Sequence, residues 1–120
     1  MSEGSISRDR ALVLPAEVRI TGLGVNALDD KRVDVAVDLT PCLQPVTIEM
    51  AIVGPDDDEA SCILLIDNRE WMLDKIMHLR HAAQAGEYTL HVGVFYKDAL
   101  VTRAARRFTF PPAEMGGSDG

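Results

Sequence analysis

Residues 86–97 have the sequence Gly-Glu-Tyr-Thr-Leu-His-Val-Gly-Val-Phe-Tyr-Lys, in which apolar side chains alternate with polar or small ones. This period of two is typical of a β-strand with one buried face, and Gly86 marks a turn before it. Phe95 breaks the pattern, because it is an aromatic side chain on the face predicted to meet solvent. We expect the rest of the chain to supply strands that pack around this one.

The same alternation recurs in two segments nearer the N-terminus. Residues 32–40 and 46–53 each carry apolar side chains at every second position: Val33, Val35, Val37 and Leu39 in the first, and Val46, Ile48, Met50 and Ile52 in the second. Further strands are predicted over residues 17–28, 62–66, 74–79 and 100–110, with turns at 29–31, 54–59 and 98–99. Residues 11–14 could form a short edge strand ahead of them. The pattern predicts an all-β fold, a seven-stranded antiparallel sandwich of two sheets.

Residues 68–80 fit two kinds of secondary structure. A strand would place on one face Trp71, Leu73, Met77 and Leu79, interrupted by Lys75. A helix would align Met72, Ile76 and Leu79. We expect a strand over residues 74–79, preceded by a turn or a short helical link.

The 120 residues correspond to one domain over residues 11–111, between flexible tails at 1–10 and 112–120. No apolar run approaches the length of about 18 residues that a membrane span needs, and the first ten residues lack the apolar core of a signal peptide. These features predict a cytoplasmic protein, in which Cys42 and Cys62 are free thiols. A net charge of -7 disfavours binding to nucleic acid.

Leu79, followed by Gly86-Glu-Tyr88-Thr-Leu90, resembles the corner that leads into strand F of immunoglobulin-like and fibronectin type III-like domains. The resemblance implies an immunoglobulin-like sandwich in which the Tyr88 hydroxyl bonds to the backbone of the preceding corner. Leu90 occupies the place of the second immunoglobulin cysteine, and residues 46–53 contain no tryptophan. The resemblance therefore implies a sandwich without the inter-sheet disulfide, and it implies no particular function.

Residues that could support catalysis or metal binding do not form a recognisable motif. His78 and His81 would face opposite sides of an extended strand, and His91 faces away from the core. The acidic run at 56–59 lacks the spacing of a calcium loop. Ser61 lacks the glycine-flanked turn of a nucleophilic serine. We therefore predict a protein without catalytic residues, cofactor or metal.

Three apolar side chains are candidates for an interaction surface. Ile63 and Leu65 are assigned to the outer face of the apolar run at 62–66, and Phe95 to the outer face of its own strand. Together they could form a patch of the kind that marks partner sites, unless a segment such as residues 11–14 covers them. The favoured hypothesis is a protein-interaction or assembly module, with a homodimer formed through an edge strand or through Ile63 and Leu65.

The remaining candidate residues are basic or aromatic. Arg103 and Arg107 share one face of the last strand, where they either pair with aspartates of another strand or form a patch for an acidic partner. The alternative function is a small-ligand or carbohydrate-binding module, for which Trp71 and Tyr96 are the available stacking residues.

Overall fold

The computed structural model describes residues 12–110, so both predicted tails lie outside the described residues. A short 3₁₀ turn at Pro15–Glu17 precedes seven strands: β1 Ile20–Ala27, β2 Arg32–Leu39, β3 Val46–Val53, β4 Glu59–Asn68, β5 Met72–His78, β6 Gly86–Tyr96 and β7 Ala99–Phe110. The prediction of a seven-stranded all-β fold is confirmed. No helix within residues 12–110 has the length and apolarity needed to cross a bilayer.

The strands form two antiparallel sheets with the orders β1-β2-β5 and β4-β3-β6-β7. The alternating faces of β2, β3 and β6 meet in the core, where these side chains are at most 1% exposed: Val33, Val35, Val37, Ile48, Met50, Ile52, Leu90, Val92 and Val94. The strands with the cleanest period of two are therefore the ones that line the core. The fourth strand pairs with the third, whereas in immunoglobulin constant domains it joins the sheet of the first, second and fifth.

The corner before β6 has the hydrogen bond that the resemblance implies. The backbone N–H of Gln84 donates to the Tyr88 hydroxyl at 2.9 Å. The buried Tyr88 ring meets the Phe110 ring edge-on, with 4.9 Å between centroids. Gly86 has φ 145°, and a Cβ there would lie 2.9 Å from Pro55 Cγ, so the corner requires glycine at this position.

The ambiguous segment is a strand, and the helical alternative is wrong. β5 begins at Met72, two residues before the predicted start, and Leu73 and Met77 are buried. Lys75 shares their face at the sheet edge, where its long side chain brings Nζ to 3.8 Å from Glu70 Oε1. Lys75 was the one residue that interrupted the period of two. Because its side chain reaches solvent at the sheet edge, the period holds and predicts a strand rather than a helix.

The predicted orientation of β4 is wrong. Ile63 lies opposite Met50 and Leu65 lies opposite Ile48, and directly opposite residues share a face of the sheet. Ile63 and Leu65 are therefore half-buried against the core. The side chains of the run that face outward are Leu64, 57% exposed, and Ile66, 68% exposed. A run that is apolar at every position has no period, so the sequence alone does not indicate which face is inward.

Three smaller predictions also differ from the structure. Residues 12–14 form no strand, and only Val13 makes an isolated bridge, to Cys42. β1 begins at Ile20 because the Pro15–Glu17 turn occupies the expected start. The β6–β7 turn lies at Lys97 and Asp98, whose φ values of 50° and 68° are typical of a type I′ hairpin turn.

Candidate functional site

Within residues 12–110, no second layer covers the outer face of the four-stranded sheet. Strand register defines this face: Glu49 lies opposite both Leu64 and Gly93, and Gly93 lies opposite Arg103. The side chains that share it include Cys62, Leu64 and Ile66 on β4, Thr47, Glu49 and Ala51 on β3, Thr89, His91 and Phe95 on β6, and Leu100, Arg103, Ala105 and Arg107 on β7. We call this surface the outer face.

A hollow of about 710 Å³ lies at the middle of the outer face. Its floor is formed by three small residues on three neighbouring strands, Ala51, Gly93 and Ala105. Larger side chains surround the floor: Glu49, His91, Phe95, Leu100 and Arg103. The hollow exists because the central positions carry little or no side chain, and its volume lies in the range of small-ligand sites.

Phe95 leans over the glycine in the floor of the hollow. A Cβ placed on Gly93 would lie 3.1 Å from Phe95 Cε1 and 3.6 Å from Leu100 Cδ1. The Phe95 side chain is half-buried by this arrangement. An aromatic ring over a strand glycine also shields the exposed backbone, so Phe95 stabilises the sheet as well as lining the hollow.

The charged groups around the hollow are not paired with each other. Within residues 12–110, neither Glu49 nor Arg103 makes an ion pair. The other two β7 arginines are engaged: Arg107 Nη1 lies 3.7 Å from Glu87 Oε1, and Arg106 Nη1 donates to the Leu23 carbonyl at 2.8 Å. Among the three β7 arginines, Arg103 is therefore the one that makes no ion pair or side-chain hydrogen bond to the described part of the chain.

Cys62 lies on the outer face, and its thiol is a weak nucleophile. Partial burial raises its pKa, the carboxylates of Glu59 and Glu49 raise it further, and Arg80 offsets part of the shift. The thiol therefore stays protonated at neutral pH, where reactivity requires the thiolate. Cys42 is buried, and both cysteines are free. Within residues 12–110, no group of three or more potential ligands could hold a metal ion.

The structure brings together only some of the predicted site residues. Phe95 and Arg103 line the hollow, and Arg107 lies further along the same face. Ile63 and Leu65 face the core instead. Trp71 is half-buried against the core in the link before β5, where its carbonyl accepts the Leu39 N–H at 2.8 Å. Trp71 therefore does not line the hollow.

Sequence reasoning missed the residues that shape the hollow and extend its apolar border. Gly93 carried a usable signal, because a glycine inside a strand often marks a place where another group approaches closely. Glu49 gave no such signal, since a charged residue on an outward position is ordinary. Leu64 and Ile66 were missed because the orientation of β4 was assigned the wrong way round.

Comparisons with known proteins identify the fold and no family. No protein-family model matches the sequence, and no curated protein is similar to it. A glycosyl hydrolase family 2 member from Bacteroides cellulosilyticus matches 77% of this chain with 16% identity and a TM-score of 0.59. Parabacteroides merdae β-glucuronidase matches 78% with 13% identity and a TM-score of 0.62.

The chain spans only 14% of the length of each of these two enzymes. At such low identity the similarity supports a β-sandwich fold, and no active-site residue of these enzymes can be assigned to this chain. The class that fold and site define is a β-sandwich whose four-stranded sheet has a hollow on its outer face.

Proposed function

We propose that the chain is a non-catalytic domain that binds a partner protein through the outer face of its four-stranded sheet. The supporting observation is the uncovered hollow beside two exposed apolar side chains of β4. Leu64 and Ile66 are 57% and 68% exposed, and they lie across β3 from the hollow.

The chemistry of the outer face resembles that of a protein interface. Interfaces combine an apolar centre with a polar rim, and aromatic and arginine side chains contribute a large share of the binding energy. Phe95 and Leu100 supply apolar area here, and Glu49 and Arg103, which pair with no charged residue among 12–110, supply charges of both signs. A complementary pair of charges on the partner would fix its orientation.

The candidate nucleophiles of this region support a role without catalysis. Cys62 is a protonated thiol, because partial burial and the neighbouring carboxylates of Glu59 and Glu49 raise its pKa. Ser61 is 5% exposed, and its hydroxyl donates to the His78 carbonyl at 2.8 Å. A nucleophilic serine needs a neighbouring base to accept its proton, and a backbone carbonyl cannot perform that step.

The test is an affinity capture from the native host with the unmodified chain and two variants. Phe95→Ser removes the aromatic wall of the hollow. Ile76→Ser is the matched control, since Ile76 is a 42% exposed apolar residue on the three-stranded sheet. We expect a protein retained by the unmodified chain and by Ile76→Ser but lost with Phe95→Ser. Identical captured sets for the two variants would contradict the proposal.

A second candidate function is binding of a carbohydrate in the same hollow. The observation that favours it is the Phe95 ring in the same hollow as Arg103, Glu49 and His91, since sugars stack on aromatic rings and bond to polar groups at the rim. Amide spectra of the labelled protein with galactose or glucuronate would test it. We expect shifts at Gly93 and Arg103. No shift at millimolar sugar would exclude these two ligands. Trp71 fluorescence is a poor reporter, because Trp71 lies outside the hollow.

A further inference from the structure

The four edge strands of the two sheets differ in how they are protected from pairing with another chain. The edges of β1 and β7 are joined through the Arg106 hydrogen bond to the Leu23 carbonyl, and β7 also carries two further arginines. The β5 edge carries Lys75 on its inward face, a charge that an added strand would have to bury. Charged residues at edges are a common protection against strand pairing.

Along the middle of the β4 edge, residues 12–110 supply no such protection. At its start, Arg80 covers the strand: its backbone N–H donates to the Ala60 carbonyl at 3.0 Å and its guanidinium to the Glu59 carbonyl at 2.9 Å. Residues 62–66 follow with no charge and no proline, and Leu64 and Ile66 are exposed. Half of their backbone groups point away from β3, where the described part of the chain supplies no strand.

We propose that a second copy of this chain pairs antiparallel with β4, with Leu64 at the two-fold axis. The proposal rests on the proposed function, because it names a partner for the β4 side of the outer face. In this register Leu64 meets its own counterpart, Cys62 meets Ile66, and Ile63 meets Leu65. The two-fold axis is perpendicular to the sheet, so the outer faces of both copies lie on the same side.

The run itself favours a second copy as the occupant. It is apolar at all five positions, so antiparallel self-pairing opposes one apolar side chain to another throughout. The flanking charges also match, since Glu59 before the run, whose Oε1 lies 3.2 Å from Arg80 Nη2 of its own copy, would in addition approach Arg69 of the second copy. A partner of different sequence would have to provide both features independently.

Neighbouring registers are less favourable. A two-fold axis at Cys62 places the apolar side chain of Ile66 opposite the carboxylate of Asp58. An axis at Ile66 places Cys62 opposite the carboxylate of Glu70. An axis at Ile63 opposes Glu59 to Asp67, and like charges directly opposite destabilise a strand pair. An axis at Leu65 places the carboxylate of Asp67 opposite the apolar side chain of Ile63.

Pairing through β4 would produce one continuous eight-stranded sheet with two hollows on one side. Five inter-strand steps separate Gly93 of one copy from Gly93 of the other, which at about 4.8 Å per step gives about 24 Å. The dimer would therefore present two copies of the same site in a fixed arrangement, and it would bind a repeated or two-fold symmetric partner more tightly than a monomer.

The first test measures mass by light scattering during size exclusion over a range of concentrations. The monomer mass is 13.1 kDa, and we expect the average to rise towards twice that value. Added salt should favour the dimer, because each copy carries a net charge of -7 and salt screens their repulsion. Leu64→Lys should remain monomeric. Leu100→Lys is the matched control at the opposite edge, and it should still dimerise.

The second test determines the register with mild oxidation. In a Cys62→Ser background, Leu64→Cys should form a disulfide-linked dimer, since directly opposed Cα atoms lie about 4.5–5.5 Å apart, within disulfide range. Ile66→Cys should likewise link to native Cys62. The unmodified protein should not form a Cys62–Cys62 link, because these residues lie about 13 Å apart along the strands.

A monomer at every concentration, or a dimer in which Leu64→Cys does not link, would overturn this inference. Either result leaves the proposed function to be decided by the Phe95→Ser and Ile76→Ser variants. Those variants lie away from the β4 edge, so the two ideas fail separately.

Discussion

The outer faces of the two sheets differ in chemistry although both sheets bury similar aliphatic side chains. The outer face of the four-stranded sheet has a hollow with an aromatic wall and with charges of both signs that form no ion pair with the residues the structure describes. On the three-stranded sheet, β2 and β5 present the carboxylates of Asp34, Asp38 and Asp74. Exposed apolar residues there, Met72 and Ile76, alternate with acidic ones rather than surrounding a hollow.

This difference indicates which surface is available for binding. A face with several negative charges stays hydrated, because a partner would have to desolvate them or supply compensating cations. Binding to the outer face of the four-stranded sheet requires less desolvation of charged groups, because the floor of its hollow is formed by small apolar residues. The inward pattern determines the fold, whereas the outward residues distinguish the two faces.

The largest expected effect is a difference in the free energy of unfolding between substitutions on the inward and outward sides of β4. Ile63→Ala should lower the free energy of unfolding by about 2 kcal/mol, at the low end for a buried isoleucine because Ile63 is only half-buried. At a protein concentration where the chain is monomeric, Leu64→Ala should change it by less than about 0.5 kcal/mol, because Leu64 is 57% exposed in the single chain. Urea unfolding of both variants measures the difference. Equal losses would contradict the orientation of β4.

A second comparison separates two arginines of β7. Arg106→Ala should cost about 1 kcal/mol, since it removes the 2.8 Å hydrogen bond to Leu23 that joins the two sheets. Arg103→Ala should leave stability nearly unchanged but weaken binding through the outer face. Urea midpoints of the two variants, combined with the affinity capture, measure both effects. A stability loss at Arg103 as large as at Arg106 would show that Arg103 is engaged within the fold.

Much of the fold could be predicted from the sequence, because three strands bury one face each. β3 has the predicted bounds, 46–53, and β2 and β6 each end within one residue of the predicted end. The corner at Tyr88 was also predictable, since it depends on local residues. The predicted strand at 62–66 covers only the middle of β4, Glu59–Asn68, and it was oriented wrongly, because the inward face of β4 is set by pairing with β3.

The candidate site could be predicted only in part. Phe95 was identified because it breaks the alternation of its strand, and Arg103 because it belongs to a group of arginines on the last strand. The hollow itself depends on Ala51, Gly93 and Ala105, which come from three strands and become neighbours only through register. No single segment carries that information.

The smallest expected effect concerns the acidic face, where Asp34 and Asp74 lie on the paired strands β2 and β5. A hydrogen bond shared with the Asp74 carboxyl raises the pKa of Asp34 above its usual value of 3.8, and burial and the Asp74 charge raise it further. The folded protein therefore holds this proton more tightly than the unfolded chain. Stability should fall as the pH rises from 3.8 through the raised pKa, and the repulsion should be fully present at pH 7.

Asp34→Asn should therefore stabilise the protein at pH 7, by no more than about 0.5 kcal/mol because both carboxyls are accessible to solvent. The gain should disappear as the pH falls towards 3.8. Asp74→Asn should give a similar gain, and the double variant should add little, because either substitution alone removes the repulsion. The measurement is the urea midpoint of the unmodified protein, the two single variants and the double variant between about pH 3.5 and 7. This range brackets the titration of the carboxyls. Fully additive gains would show that the two carboxyls act independently.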